Sequence, residues 1–167
     1  MGNNGLGCYE RTGNMKEAAA VRMAKHEDLA DISKCIEEAY EKYIVRIGKK
    51  PAPMLKNYNE LISNGRVYVL EFENTLAGIL VLIDMDEYVL LDTVAVAPRF
   101  QGRSLGKQLL DFAENYTRQK GKCEIRLCTN EKMYENIGIY NHCGYEEYAR
   151  GEQAGYNRVF FKKGLYS

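Results

Sequence analysis

The chain has 167 residues, with 23 basic and 23 acidic side chains, a formal net charge of zero and an ordinary charged fraction of 28%. That length suits one domain with its own hydrophobic core. The charge balance argues against a nucleic-acid scaffold with a broad basic face, and no apolar run is long enough to span a bilayer.

Cys8, Cys35, Cys123, Cys128 and Cys143 are odd in number and irregularly spaced. They suit a reducing compartment, with buried thiols in place of a disulfide framework. No apolar stretch of secretory type follows Met1, so a cytoplasmic protein is expected. Residues 1–18 are rich in glycine and asparagine and read as a flexible tail, leaving 19–167 as a single domain.

Ala20-Val21-Arg22-Met23-Ala24 reads as a first strand. Asp28 then opens a helical pattern with Asp31 as its capping partner, and Leu29, Ile32, Ile36, Ala39 and Tyr40 recur at helical spacing. Pro51 and Pro53 break the next segment, and a second helix around 55–62 ends at Asn64-Gly65. Residues 67–72, 79–83 and 88–96 are apolar runs, the first two separated by Glu73-Asn74-Thr75, and predict an antiparallel meander covered on both faces. A long helix runs to Gly121 with Leu105, Leu109, Leu110, Phe112, Ala113 and Tyr116 on its buried side. A strand at 123–127 and a shorter helix at 133–142 follow. A closing hairpin then pairs 145–150 with 158–162 across 151–157. Strand, turn, helix and strand in the middle make 88–96 and 123–127 parallel through a right-handed crossover. The fold class is a mixed α/β (α+β) sheet.

Between the third apolar run and the long helix lies Gln101-Gly102-Arg103-Ser104-Leu105-Gly106-Lys107. A helix N-terminus offers unpaired N–H groups and a positive dipole end, so this turn can receive phosphate. It is one residue short of a Walker loop, and Gln108 stands where magnesium coordination needs Ser or Thr. A Gly-x-Gly-x-x-Gly run with a placed acid is also missing, which argues against an NAD enzyme. A tight strand–helix connection without a ligand is the plainer reading.

With Val94-Ala95-Val96-Ala97-Pro98 before it and Leu109-Leu110-Asp111-Phe112-Ala113-Glu114 after it, the turn resembles the Gln/Arg-x-x-Gly-x-Gly/Ala loop of the GNAT superfamily of acyl-CoA-dependent N-acetyltransferases. Gln101 and Gly106 match, while Ser104 replaces the first glycine. Asn136-Ile137-Gly138-Ile139-Tyr140-Asn141-His142-Cys143-Gly144-Tyr145 resembles the family's Asn-x-x-x-Tyr-x-x-x-Gly-Phe/Tyr segment. The resemblance implies a mainly antiparallel central sheet with a parallel, splayed strand pair and helices on both faces. It also implies acetyl-CoA as cosubstrate, its pyrophosphate on the backbone of Gln101, Gly102, Arg103, Ser104, Leu105, Gly106 and Lys107. Exposed backbone groups from Thr93 to Val96, those of Val94 and Val96 among them, would pair with the pantetheine arm, and a backbone N–H such as that of Val94 would face the developing oxyanion. Asn136 would bind the cofactor or support its helical turn. The implied reaction is direct attack on the thioester by a primary amine of a small molecule or peptide, with no metal, nucleic acid or membrane involved. A homodimer is plausible on the same ground.

Several alternatives stay open at this stage. At Ser104, a negative φ would let the hydroxyl donate to phosphate, whereas a positive φ would cost about 1 kcal/mol. Tyr140 is the candidate proton donor to the departing sulfur, or an aromatic anchor of its helix. Asp92 leads the candidate general bases, with Glu87 and Glu41 beside it, each equally readable as a solvated acid. A lysine-type amine is only about 0.04% neutral at pH 7 and an α-amine roughly 10–15%, so the help required depends on the acceptor. His26, His142 and the cysteines lack metal-ligand spacing. Residues 40–48 with 51–54 read as an acceptor wall or ordinary packing over the sheet, and 156–161 as the far wall or a dimer surface. A catalytically silent CoA-binding sensor or interaction module is the competing function.

Overall fold

The computed structural model describes residues 19–166. The tail expected over 1–18 therefore lies outside the described residues. Seven strands form one sheet in the order β1-β2-β3-β4-β5-β7-β6. They are β1 (Ala19–Met23), β2 (Val67–Phe72), β3 (Thr75–Asp84), β4 (Val89–Val96), β5 (Glu124–Asn130), β6 (Glu146–Gln153) and β7 (Tyr156–Gly164). Neighbours run antiparallel except β4 and β5, which are parallel as expected. Helices α1 (Leu29–Ile47) and α2 (Tyr58–Ser63) cover one face, and α3 (Leu105–Gln119) and α4 (Tyr134–His142) the other.

Successive strand residues point to opposite faces, which explains why the central strands are apolar throughout. On β3, Ile79 and Val81 meet Ile32, Ile36 and Tyr40 of α1, whereas Leu80 and Leu82 meet Leu105, Leu109 and Leu110 of α3. Each fully buried Leu or Ile contributes about 1.5–3 kcal/mol. Gly78 lets α3 approach closely. A Cβ there would lie 2.9 Å from the Ala95 carbonyl oxygen and 3.1 Å from Leu109 Cδ1.

Three local expectations are corrected. Asp28 already has helical φ and ψ, and its carboxylate turns back toward β1 instead of capping the turn ahead. Its Oδ2 accepts from the Lys25 N–H at 2.8 Å, and both oxygens receive the Arg22 guanidinium at 2.8 and 2.9 Å. That hydrogen-bonded guanidinium holds the Asp28 carboxyl below its usual range. The second helix starts at Tyr58, because Asn57 caps it by accepting from the Glu60 N–H at 3.1 Å, and Pro53 belongs to a short 3₁₀ turn before it. The closing hairpin turns on Ala154 and Gly155, with φ of 52° and 84°, not on the longer loop expected. Edge strand β6 is exposed along its length, so its polar residues carry no apolar alternation although their backbone completes the ladder.

The feature that makes room for a site is a bulge in β4. Thr93 pairs with Val81 and Leu91 with Leu82, leaving Asp92 as an extra residue. One inserted residue breaks the two-residue alternation. Leu91 and Val94 therefore pack on the same side of the sheet although three positions apart. Pairing of β4 with β5 covers only Val89 to Leu91 and stops at the bulge. Beyond it the parallel strands diverge.

Candidate functional site

The gap between β4 and β5 leads into two cavities. The larger, about 660 Å³, runs from the gap to the N-terminus of α3. The smaller, about 50 Å³, lies on the other side, under the turn at 51–53 and against β5 and β7. They share four lining residues: Tyr40, Val94, Asn136 and Tyr140. A group entering through the larger cavity and one entering through the smaller would meet there.

Backbone direction decides what the gap offers. The Ala97 N–H bonds to the Ala77 carbonyl of the β3 side at 2.8 Å. Alternation along the strand then points the N–H and C=O of Val94 and Val96 to the gap. Both carbonyls are already engaged: that of Val94 accepts from the Tyr40 hydroxyl at 3.0 Å and that of Val96 from the Gln101 side chain at 3.1 Å. Their N–H groups remain as donors along the larger cavity. Gln101 is thus a brace for the strand as well as a lining residue.

The turn at 101–107 forms the far end of that cavity. Gly102 has φ of 81° and Ser104 has φ of 61° with ψ of 20°, so left-handed residues flank Arg103. Such an arrangement turns successive N–H groups toward one concavity. Gln108 makes the first bond back, to the Ser104 carbonyl, which leaves the N–H groups of Leu105, Gly106 and Lys107 without an acceptor within the helix. The sequence left the sign of φ at Ser104 open; the structure resolves it as positive, and the Ser104 hydroxyl makes no capping bond. A Cβ added at Gly106 would lie 3.9 Å from Val96, so small residues keep this end open and closely packed. Arg103 departs from the others. Its guanidinium lies 5.4 Å from the Phe72 ring centroid and does not line the cavity. Lys107 lines it and pairs with Asp111 at 3.0 Å.

Tyr140 sits where both cavities meet, 7% exposed, with its ring 5.9 Å from that of Tyr145 and 5.7 Å from that of Phe161. The two readings of this residue are therefore compatible: the ring anchors α4 to the sheet while the residue also lines both cavities. Burial pushes its phenol well above the usual tyrosine range, so it remains protonated. Asn136 stands one turn earlier, its amide 3.6 Å from Met133 Sδ.

Of the three candidate bases, only Asp92 lines the smaller cavity, and its Oδ2 is paired with Lys56 Nζ at 2.5 Å. Glu41 and Glu87 are exposed and line neither cavity. Of the segment read as an acceptor wall or as packing over the sheet, Tyr40, Pro51, Ala52 and Pro53 line the smaller cavity, while Val45 is exposed. From 156–161, Tyr156 and Arg158 reach it. Tyr156 donates to the Lys50 carbonyl at 2.5 Å and Lys49 to the Gly155 carbonyl at 2.7 Å, fastening the β6–β7 hairpin over the loop after α1. Lys56 and Cys128 were missed as lining residues. Only the sheet brings them together, and no local spacing announces them. Among the described residues no cluster of His, Cys, Asp and Glu is placed to hold a metal ion, and no helix is long and apolar enough to cross a membrane.

Comparison with known proteins gives a consistent picture. The model of the acetyltransferase (GNAT) family matches residues 30–145. The PaiA N-acetyltransferase of Thermoplasma acidophilum, solved in complex with coenzyme A, superposes with a TM-score of 0.73 at 18% identity, covering 89% of this chain and 99% of that one. YncA of Salmonella typhimurium, a putative acetyltransferase solved with acetyl-CoA, gives 0.65 at 20% identity, covering 89% and 95%. Mouse N-alpha-acetyltransferase 80 is 31% identical over 65 residues, a match spanning 39% of this chain and 19% of that protein's length.

Proposed function

The chain belongs to the acetyltransferase (GNAT) family, and from that premise we propose that it moves an acetyl group from acetyl-CoA to the primary amine of a small molecule or peptide. The observation that carries the reading is the pair of cavities meeting at Tyr40, Val94, Asn136 and Tyr140. Two substrates brought from opposite sides to one point suit direct transfer in a ternary complex.

In this reading the N–H groups at 102–107 hold the pyrophosphate, and the left-handed pair Gly102 and Ser104 supplies the concavity that suits it. The N–H groups of Val94 and Val96 pair with the amide-bearing arm along the gap. Acetyl-CoA supplies the activated acetyl thioester. The amine nitrogen forms a bond to the acetyl carbon as the carbon–sulfur bond breaks, and the electron pair leaves with sulfur. The Val94 N–H faces the carbonyl oxygen, where a preorganised donor is worth most as charge develops. Tyr140 meets the departing sulfur as a neutral phenol, by proton transfer or a hydrogen bond. The amine's proton passes to water or a carboxylate. Asp92, paired with Lys56, lines the smaller cavity from which the amine enters.

Incubating the protein with acetyl-CoA and a broad amine panel tests the proposal, with thiol release and acetylated product measured by mass. Product that depends on both substrates is expected. Coenzyme A binding without turnover on any amine would favour the silent binding module instead, and no coenzyme A binding would refute both.

A further inference from the structure

Resting on the proposed acetyl transfer, we infer that the acceptor is a small amine that also carries a carboxylate, and that Arg158 is the residue that selects it. The smaller cavity is lined by two cationic side chains, Lys56 and Arg158, and one acid, Asp92. Lys56 and Asp92 neutralise each other. Arg158 has no ion-pair partner among the described residues. The cavity is left with one uncompensated, permanent positive charge.

That charge is held in place before any ligand arrives. Arg158 lies on β7, opposite Asn130 of β5 and Gly151 of β6, in the middle of a three-strand ladder. Its Nη1 donates to Cys128 Sγ at 3.2 Å, and its guanidinium carbon is 5.6 Å from the Tyr156 ring centroid, the same ring that is fastened through Lys50. Its Nε is buried and bonds to no described residue. Buried polar groups without partners are uncommon and costly. The guanidinium of Arg158 is the cation of this cavity that no acid among the described residues neutralises, and its remaining N–H groups suit an anion with hydrogen-bond acceptors. A carboxylate accepts from two N–H groups of a guanidinium fork at once.

The amine end then belongs near Asp92, whose Oδ1 is left to accept from the amine N–H while Lys56 occupies Oδ2. A diamine or polyamine would instead set a second cation against Arg158 in a confined space.

The test compares acceptors matched except for the carboxylate: leucine, leucinamide and isoamylamine, with β-alanine, γ-aminobutyrate and putrescine alongside. Thiol release from acetyl-CoA is followed with wild-type protein, Arg158→Gln and Arg158→Lys. Carboxylate-bearing amines should exceed their matched partners about 10- to 100-fold in kcat/KM. That ratio should collapse in Arg158→Gln through KM and recover only in part in Arg158→Lys, which keeps the charge but not the fork. Coenzyme A titration in each variant reports folding independently. Equal use of carboxylate-free amines, or preference for putrescine, would overturn the inference while leaving acetyl transfer intact. If no amine is acetylated, the transfer reading fails. Calorimetry of N-acetylleucine in the presence of coenzyme A then decides the inference: binding that Arg158→Gln abolishes supports it, and no binding overturns it.

Discussion

Replacing Ser104 by glycine and by alanine separates two roles that one residue combines. Ser104 opens α3 with φ of 61°, and its hydroxyl makes no capping bond. A side chain in the left-handed region costs about 1–2 kcal/mol, which glycine relieves. Glycine also loosens the unfolded chain by about 0.4–1 kcal/mol. Ser104→Gly should therefore be neutral to stabilising, by up to about 1.5 kcal/mol, or a few degrees in Tm for a domain of this size. Ser104→Ala keeps the strain and removes only a hydroxyl that caps nothing. Its cost should stay below about 0.5 kcal/mol, against about 1 kcal/mol for loss of an ordinary N-cap. Both variants should bind coenzyme A about tenfold more weakly if the hydroxyl meets a phosphate oxygen. Urea and thermal unfolding give the stabilities, and calorimetry the affinities. A Ser104→Ala loss above about 1 kcal/mol would show that the hydroxyl caps the helix, contradicting the geometry. Destabilisation by glycine would contradict the left-handed conformation itself.

Gly78→Ala should cost about 1–3 kcal/mol in urea unfolding, because the new Cβ would press on the Ala95 carbonyl and Leu109. Gly106→Ala, with only ordinary contact to Val96, should show no such loss. Asp28→Asn should destabilise by about 1–2 kcal/mol, less than a fully buried pair would because Arg22 is partly exposed. Since the folded state lowers the Asp28 pKa, its stabilisation is complete above the unfolded value near pH 4 and is lost as pH falls below it. The wild-type and variant stabilities should thus converge in acid; a constant gap would contradict the pairing. Because burial raises the Tyr140 phenol, kcat/KM should climb as the acceptor amine deprotonates, with no fall from tyrosine ionisation below about pH 10.

Much of the architecture was readable because it rests on local periodicity. The helical stripe from Leu29 to Tyr40, the doubly apolar strands and the turn before α3 all report burial that neighbouring residues share. The site was less readable because its contacts span the chain. Tyr40 meets Val94 across 54 residues and Lys56 meets Asp92 across 36. The bulge that frees the β4 edge hides in Leu91-Asp92-Thr93-Val94, where a charged residue in an apolar run looks like a candidate base before it looks like an inserted position. The sign of φ at Ser104 is likewise set by how the turn joins strand to helix, not by the residue.

The central claim is that Tyr140 serves the departing sulfur at the meeting point of the two cavities. Single-turnover acetyl transfer by wild-type and Tyr140→Phe protein, with coenzyme A affinity measured on the same samples, tests it most directly. The account predicts that Tyr140→Phe binds coenzyme A within about threefold of wild type, since the ring and its packing remain. Transfer should slow by about 10²–10⁴-fold, the range of general acid catalysis. Equal transfer rates across pH in the two proteins would contradict it.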